Sequence, residues 1–456
     1  MEHMSMIALE ILEQQVHDAL EYGEFEGLAE TLNSQRPADV ADVLERLNED
    51  ERVQIFQLLE SELAGEVLTE MGSHATREII ENLTSEAVGD LFDMMEADDV
   101  AEILSEDVPE LKQELLAAME PEEAADVHEL LQFPEDSAGR LMTDRFVHVT
   151  ADMSAAQALD WVRKVNDDVE TVNDLYVMNG GSRLIGVVSL RQVLNAAPEG
   201  RVGDFMVTQI VTVPPDMDQE EVARLVARYN FLAMPVVSAT GRMLGIITVD
   251  DVIDVLVHEG TEDALKFAGI EGDPDSQPYF TVPILRVIRK RIVWLFLLFF
   301  AETLTGGVLR LFGDELASVV ALSFFIPLLI GTGGNTGAQT VSTVIRGLAL
   351  KEIRVRDAWR VLGRELSSGF LIGAILGVAS FGRALLWGTE TNLALVVGLA
   401  IVVICTWSNT IGSFIPLAAE KFGVDPALVS APLITTLVDA TGLAIYMLIA
   451  KAILGI

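Results

Sequence analysis

The 456-residue chain contains a single cysteine, Cys405, which lies inside a hydrophobic segment. A disulfide within the chain and a structural metal site of paired cysteines are therefore excluded. The six histidines are scattered between His3 and His258, and no phosphate-binding loop ending in Gly-Lys-Ser/Thr is present. The residues thus form no pattern typical of an enzyme or an ATPase, and any transport should be passive.

Basic residues are scarce, with 30 against 70 acidic residues. From Arg286 onward there are 14 basic and 10 acidic residues, so residues 1–285 carry a net charge of −44. Such a surface repels nucleic acid and attracts cations. Solubility, or adaptation to a salty medium, is the alternative explanation for the scattered part of this charge. The N-terminal stretch has no basic start followed by an apolar core, so we expect no signal peptide and a cytoplasmic soluble half.

One ionisable residue, Asp439, lies deep in an apolar stretch near the C-terminus. A carboxylate in hydrocarbon is costly, and it usually faces a bundle interior or a watery path. Thr435, Thr436 and Gly442 fall on the same helix face at spacings of three and four. A protonated aspartic acid hydrogen-bonded to a neighbouring helix is the alternative.

A second apolar segment, FIPLLIGTGGNTGAQTVSTVIRGLAL, is rich in glycine at its centre. Gly331, Gly333, Gly334 and Gly337 predict a break in the helix there, and Asn335 begins a polar face. Irregular backbone at membrane depth survives only where protein or a water-filled cavity satisfies its polar groups. Close packing of helices through small residues is the alternative. Two polar-faced spans and one buried acid together indicate a cation path.

Hydropathy predicts five membrane spans, at 292–312, 317–345, 366–388, 393–419 and 428–452. Basic residues cluster before the first span and after the second, and the opposite loops hold few of them. This bias puts the N-terminus in the cytoplasm and the C-terminus outside, as in a multi-pass protein of the cytoplasmic membrane. Glu302 lies inside the first span, and its role stays open between a pathway ligand and a packing group.

The soluble half contains two kinds of repeat. Residues 1–135 read as short amphipathic helices, with related phrases at Val40 and Val100, and such hairpins stack into a superhelix. Residues 136–258 hold a duplicated strand–helix unit, in which Met142 and Met206 occupy equivalent positions.

A helix is predicted to run to about Phe267 after the duplicated unit. A linker with Gly272, Pro274 and Pro278 should end it. A helix between a soluble half and a membrane half is a natural element for transmitting movement.

Three phrases carry a resemblance that covers nearly the whole chain: PLLIGTGGNTGAQ, DPALVSAPLITTLVDATGL and FPEDSAGRLMT. They resemble signatures of the MgtE family of magnesium channels, and the duplicated unit resembles a tandem pair of CBS domains. The resemblance implies a multidomain membrane protein with an α-helical superhelical N domain, an α/β CBS pair, a connecting (plug) helix and a five-helix transmembrane domain. The implied boundaries are 1–135, 136–200, 201–258, 259–283 and 284–456.

The same resemblance implies a homodimeric magnesium channel with its pore between the two five-span bundles. Asp439 then lines the pore, together with Ala431, Thr435 and the turn that contains Gly331, Gly333, Gly334 and Asn335. Mg²⁺ loses its waters reluctantly, so a site for the hydrated ion needs few protein charges. Two carboxylates also attract a divalent ion more strongly than a monovalent one.

Acids at positions where the family has domain contacts imply a sensor for internal Mg²⁺. These acids are Asp216, Asp218, Asp250, Asp251, Asp254, Glu259, Glu262 and Asp263. Like charges oppose compact packing, so we expect bound Mg²⁺ to bridge the domains and hold the connecting helix under the pore. Arg228 and Asn230 stand where related chains tend to carry acids, which predicts a smaller site.

In CBS pairs a Gly-x-x-Thr-x-x-Asp phrase contacts the ribose of adenosine ligands. Thr248 and Asp251 complete this phrase in the second half, whereas Ser189 and Gln192 replace its last two residues in the first half. The resemblance therefore supports at most one site for ATP or a related nucleotide. A purely structural pair is the alternative.

Three other functions remain open at the level of sequence. The first is a channel or exchanger for another divalent ion such as Co²⁺ or Mn²⁺. The second is a membrane enzyme or scaffold regulated through CBS domains, and the third is an anion channel. The strong negative charge of the soluble half and the acid in the membrane argue against the anion channel.

Overall fold

The computed structural model describes residues 2–106, 109–165, 169–270 and 282–456. These residues form two compact units. The first comprises the described part of Met1–Glu259 and Pro274–Val282, and the second that of Gly260–Asp273 and Pro283–Ile456. The predicted linker residues Gly272, Pro274 and Pro278 lie outside the described residues.

The N-terminal part of the first unit consists of helices, as predicted. They are α1 (Glu2–Tyr22), α2 (Glu26–Leu32), α3 (Pro37–Glu45), α4 (Glu49–Phe56), α5 (Ser61–Glu70), α6 (Ser73–Asn82), α7 (Ser85–Phe92), α8 (Ala97–Ile103), α9 (Pro109–Ala118) and α10 (Pro121–Leu130). Each amphipathic stripe is buried, for example Val40, Val43 and Leu44 of α3. From α3 to α10 each helix packs on the helix two places further along the chain, which is the stacking of a superhelix.

Strands and helices alternate after α10. They are β1 (Phe146–Val149), α11 (Ala155–Val165), β2 (Thr171–Met178), β3 (Leu184–Ser189), α12 (Leu190–Asn195), α13 (Val202–Phe205), α14 (Gln219–Tyr229), β4 (Ala233–Val237), β5 (Met243–Thr248) and α15 (Val249–Ala268).

The predicted duplication is confirmed by the strand pairing. In the first half β1 pairs in parallel with β2, and β2 pairs antiparallel with β3. In the second half β4 pairs antiparallel with β5, and a parallel bridge from Val213 to Val236 takes the place of the β1–β2 pair. Each half therefore ends in an apolar strand followed directly by a helix, α12 or α15.

Helix α15 continues well beyond the second half and ends at Ala268, close to the predicted Phe267. Gly269 follows in the left-handed conformation, with φ of 71°. A Cβ at this position would lie 2.2 Å from the indole nitrogen of Trp294 in the second unit, so glycine is required both for the turn and for this close approach.

The second unit holds, within the described residues, five helices that are long and apolar enough to cross a membrane. The helices of this unit are α16 (Ile284–Leu311), α17 (Gly313–Ser318), α18 (Ile326–Ala349), α19 (Ala358–Leu386), α20 (Thr391–Lys421) and α21 (Ala431–Leu454). Short 3₁₀ turns precede α18, α19 and α21. Helix α20 packs against α18, α19 and α21, so it forms the centre of the unit.

Candidate functional site

Asp439 lies between helices in the second unit. It is the ninth residue of α21, so it sits about 12 Å along the helix axis from Ala431. Its Oδ1 atom is buried and has no hydrogen-bond partner among the described residues. A Cβ built on Gly334 of α18 would lie 3.6 Å from that oxygen. This carboxylate oxygen is thus desolvated beside the backbone of Gly334. Burying it is costly unless a ligand donates a hydrogen bond to it or binds it as a cation.

The start of α21 places two of the other predicted pore residues about one and two turns before this carboxylate. The hydroxyl of Ser430 accepts from the amide of Leu433 and begins the helix. Thr435 donates its hydroxyl hydrogen to the carbonyl of Pro432 at 2.8 Å, which leaves the hydroxyl oxygen free to accept from a water molecule. Ala431 forms the first helical residue, half-buried, two turns before Asp439.

The predicted break in the glycine-rich span is wrong, because α18 runs unbroken from Ile326 to Ala349. The glycines serve close packing instead. A Cβ on Gly333 would lie 2.6 Å from Ile404 of α20, and one on Gly337 would lie 2.6 Å from the hydroxyl of Ser408. Ser408 donates to the carbonyl of Gly333 at 2.5 Å. Small residues therefore let α18 and α20 approach closely, and broken-helix carbonyls are not available as ligands.

One face of α18 is polar and exposed in the protomer. Gly331, Asn335, Gln339 and Ser342 follow each other at spacings of three and four, and all four are exposed. A Cβ on Gly331 would meet no atom within 4 Å. Polar side chains at membrane depth rarely face lipid, so this face requires water or further protein.

Glu302, whose role the sequence left open, lies on α16. This helix contacts α21, and the charge of Glu302 acts on Asp439. The side chain of Glu302 is exposed in the protomer. The two intramembrane acids therefore belong to one electrostatic neighbourhood.

A cluster of acids forms in the first unit where α8 meets the start of α15. Burial, followed by the charges of Asp99 and Asp251, raises the pKa of Asp98 well above its usual value. Burial also raises the pKa of Asp99 to about 7 and that of Asp251 to about 6. Thr69 donates to Asp99 at 3.1 Å, and one oxygen of Asp98 is buried without a partner. We call Asp98, Asp99 and Asp251 the acidic cluster.

Sequence reasoning found only one member of this cluster. Asp251 was predicted as a metal ligand, whereas the charges near Asp98 and Asp99 resemble an ordinary solvated helix face. Their burial depends on the packing of α8 against another domain, and no local pattern reports that. A pair of adjacent aspartates at the first turn of a helix was the available signal.

The other predicted metal ligands are distributed rather than gathered. Asp250 acts electrostatically on Asp251, and Asp254 on Glu70 of α5. Asp216 and Asp218 line a different cavity, of about 580 Å³, together with Asp136 and Arg140. Asp218 also caps α14 by accepting from two backbone amides. Among the described residues, no three acidic, histidine or cysteine side chains stand close enough together to hold a metal ion unaided.

Three further predicted ligands lie at the end of α15 or just before it. Glu259 accepts from Gln219 at 2.9 Å within the first unit. In the second unit Lys266 contacts Glu262 at 2.8 Å and Asp425 at 3.0 Å. Although desolvation opposes it, hydrogen bonds to Glu262 and Asp425 hold the pKa of Lys266 above its usual value. Asp263 lies in the same part of α15 and also interacts with other residues.

The end of α15 is thereby attached to the membrane helices. Phe267 packs against a cluster that contains Val341 of α18 and Ile434 and Val438 of α21. Asp425, the partner of Lys266, caps the 3₁₀ turn that leads into α21 by accepting from Ala427 at 2.8 Å. The connecting helix thus contacts residues of α18 and residues that precede Asp439 in the chain.

The predicted nucleotide residues Thr248 and Asp251 contact each other. Thr248 donates its hydroxyl to Asp251 at 2.6 Å. In the first half Ser189 and Gln192 make the corresponding contact, with 3.1 Å between the two side-chain oxygens. A cavity of about 670 Å³ lies beside this first-half turn and is lined by Asp174 and Arg191 among others. The nucleotide site at Thr248 and Asp251 stays a prediction.

Comparison with known proteins covers most of the chain. Residues 326–449 match a family model described as MgtE, divalent cation transporter. Residues 35–136 match the MgtE intracellular N domain, and residues 138–199 and 202–258 match CBS domains. The chain is 40% identical over 328 residues to the magnesium transporter MgtE of Thermus thermophilus, covering 72% of each chain. It is 38% identical to the magnesium transporter MgtE of Bacillus subtilis, covering 72% of this chain and 71% of that one.

A solved structure resembles the soluble part. The cytosolic domain of the Mg²⁺ channel MgtE in complex with ATP superposes with a TM-score of 0.51 and 35% sequence identity, covering 53% of this chain and 99% of that one.

Proposed function

The chain belongs to the MgtE family of divalent cation transporters, and we propose that it carries Mg²⁺ passively across a membrane along a path that passes Asp439. The single observation that carries this proposal is the Oδ1 atom of Asp439, which is buried beside Gly334 without a partner. Such an atom is what a hydrated cation would bind, because coordinated waters donate hydrogen bonds to it. The relatives are named transporters, which supports a role other than catalysis.

Two protomers would complete the path. The exposed polar face of α18 (Gly331, Asn335, Gln339 and Ser342) supports a second protomer related by a two-fold axis, with water between the two faces. Two copies of Asp439 would then face one ion, and a divalent ion gains more from two carboxylates than a monovalent ion does. The hydroxyl oxygen of Thr435 is placed to accept from a coordinated water.

Internal Mg²⁺ would regulate the path through the acidic cluster. Burial of Asp98, Asp99 and Asp251 raises their pKa values, so the packed arrangement favours bound protons or a bound cation over bare charges. A divalent ion that binds the packed arrangement more tightly shifts the equilibrium toward it. The connecting helix, attached to the second unit through Lys266 and Phe267, would transmit that shift.

ATP is a candidate modulator, since a relative's cytosolic domain was solved with it. The cavity of about 670 Å³ beside Ser189 and Arg191 supports binding in the first half, in competition with the predicted site at Thr248 and Asp251. The excess of basic residues at the start of α16 and between α18 and α19 supports a cytoplasmic N-terminus and CBS pair, with the C-terminus outside.

Uptake by proteoliposomes tests the pathway. Asp439→Asn keeps the size of the side chain and removes its charge. Mg²⁺ uptake should then fall by about 100-fold or more, because no negative charge offsets the cost of placing the cation at membrane depth. Asp314→Asn, an exposed acid beyond the end of α16, is the matched control and should transport normally. Normal uptake by Asp439→Asn would exclude the assignment. Preferred uptake of Co²⁺ or Mn²⁺ over Mg²⁺ would favour the other divalent cations as substrate.

Patch recordings with millimolar internal Mg²⁺ test the regulation. Asp99→Asn with Asp251→Asn should conduct where the wild type is inhibited. Glu199→Gln with Asp204→Asn removes two exposed acids of the CBS pair and should stay inhibited like the wild type. Equal inhibition of the wild type and both variants would exclude the acidic cluster as the Mg²⁺ sensor, and it would not affect the proposal for the pathway.

A further inference from the structure

The face of α19 that points away from α20 combines exposed aromatic, basic and small residues at one end. Trp359 is 86% exposed and follows directly on the arginine-rich turn before the helix. On the opposite side, Gly369, Gly373 and Gly377 pack against α20 so closely that a Cβ on each would lie within 2.9 Å of its backbone. The helix is thus firmly seated on one side and uncovered on the other within the described unit.

Tryptophans mark both ends of α19. Trp359 and Trp387 are separated by 28 positions, or about 42 Å along a helix. This distance matches the full thickness of a bilayer including its headgroup layers, and tryptophan is enriched at both membrane–water interfaces. At the far end Arg383 lies 4.5 Å from the centre of the Trp387 ring. The two rings fix the depth of the helix, so residues near Trp359 lie at headgroup level.

Arginines occupy that level on the uncovered face. Arg356 and Arg360 are four positions apart and exposed. Neither forms an ion pair with any residue that the structure describes, although the chain as a whole has an excess of 40 acids over bases. Exposed guanidinium groups at headgroup level fit a phosphate, which they bind in bidentate fashion.

An exposed glycine, Gly363, follows the arginines toward the centre of the membrane. A Cβ there would meet no atom within 4 Å. Ser367 turns its hydroxyl back to the carbonyl of Gly363 at 2.8 Å, so it presents little polarity outward. Phe370 lies beyond it and is 54% exposed. An acyl chain that runs along Gly363 would therefore contact apolar surface as far as the Phe370 ring.

We propose that a strip at the start of α19 and in the 3₁₀ turn before it, formed by Arg356, Trp359, Arg360, Gly363 and Phe370, binds an anionic phospholipid from the surrounding leaflet. The headgroup phosphate contacts Arg356 and Arg360, the Trp359 ring covers the glycerol region, and one acyl chain lies over Gly363. The strip is basic, and the strongly acidic half of the chain lies elsewhere in the sequence. The strip should therefore prefer a lipid with an anionic headgroup.

Fluorescence quenching in vesicles tests the strip with the full chain. Brominated phosphatidylglycerol is compared with brominated phosphatidylcholine, each diluted in unlabelled phosphatidylcholine. The chain has five tryptophans, so the signal from the strip is the difference in quenching between the wild type and Trp359→Phe. We expect the anionic lipid to quench it at lower mole fraction than the zwitterionic lipid. Arg356→Gln and Arg360→Gln should each reduce this preference by about fivefold.

The matched control removes two exposed arginines at the start of a different membrane helix, Arg289→Gln with Arg291→Gln in α16. It should retain the preference. An equal loss in the control would mean diffuse attraction and overturn the proposal, as would an unchanged preference in the Arg356 and Arg360 variants. Absence of quenching by either lipid would mean that protein covers the face. Loss of the preference on adding inorganic phosphate would make free phosphate, not lipid, the ligand.

Discussion

The carboxylates of the two units are arranged in opposite ways. In the second unit Asp439 stands between packed helices, and one of its carboxylate oxygens lies beside Gly334 of α18. In the first unit Asp98, Asp99 and Asp251 lie where two domains meet, and burial raises the pKa of each, with the charge of Asp251 adding to the effect on Asp98 and Asp99. A single buried carboxylate among closely packed helices suits brief, repeated binding of an ion in transit. A group of acids at a contact between domains suits a response to ion concentration.

The largest expected effect tests the closely packed side of this comparison. Gly373→Ala places a methyl group 2.8 Å from the backbone of Val402 in α20, which cannot move aside as a side chain would. Overpacking of this kind costs about 1–3 kcal/mol. Gly306→Ala in α16 meets no atom within 4 Å and should be neutral or stabilising. Thermal unfolding in detergent checks the pair, and equal midpoints would mean that the helices of the second unit are loosely packed.

The acidic cluster should respond to pH. The pKa of Asp99 is raised to about 7 and that of Asp251 to about 6, from values near 4 in the unfolded chain. The packed cluster therefore holds protons that the unfolded chain releases, and its contribution to stability falls as pH rises from about 4 to 7. Mg²⁺ should replace those protons.

We accordingly expect the rise in thermal midpoint caused by millimolar Mg²⁺ to be small at pH 5 and larger, by several degrees, at pH 8. Asp99→Asn with Asp251→Asn should abolish this pH dependence, and Glu199→Gln with Asp204→Asn should preserve it. A potassium salt of equal ionic strength controls for screening. A Mg²⁺ shift of the same size at both pH values would contradict the assignment of the cluster as the cation site.

The contact between the end of α15 and Asp425, both in the second unit, should give a smaller effect. Lys266→Met removes the link to Asp425 at 3.0 Å while keeping the apolar stem. Because both groups are about one-third exposed, their pair contributes about 0.2–1 kcal/mol. The internal Mg²⁺ concentration for half-inhibition should therefore rise by no more than about fivefold. Lys421→Met is the exposed control, and Lys266→Asp with Asp425→Lys should restore inhibition if the ion pair itself matters.

The smallest effect concerns nucleotide. If ATP binds in the first half, Arg191→Gln should reduce the thermal shift that ATP causes, and Asp251→Ala should leave it unchanged. Arg163→Gln, on the exposed face of α11, controls for lost charge. The reverse result would favour the site at Thr248 and Asp251, and no shift in the wild type would mean a purely structural CBS pair.

Much of the fold follows from local patterns, and the comparison shows where such patterns stop. The five spans, the helical repeats, the duplicated α/β unit and the helix to Phe267 depend on hydropathy and periodicity within each segment, so the sequence predicts them correctly. The break in α18 was wrong because glycine has two uses at membrane depth, and only the positions of Ile404 and Ser408 in α20 decide between them. Asp98 and Asp99 were missed because their burial is a property of a contact between domains.

The burial of Cys405 has a practical consequence. Its thiol is fully enclosed within the second unit, 3.8 Å from the hydroxyl of Thr336. Maleimide and nitroxide reagents should therefore leave the wild-type chain unlabelled under native conditions. Cysteines introduced at exposed positions such as Gln339 or Glu302 can then carry single probes without prior removal of a native residue. If two protomers pair through the polar faces of α18, as proposed, distances between such probes would measure how those faces approach each other at high and at low Mg²⁺.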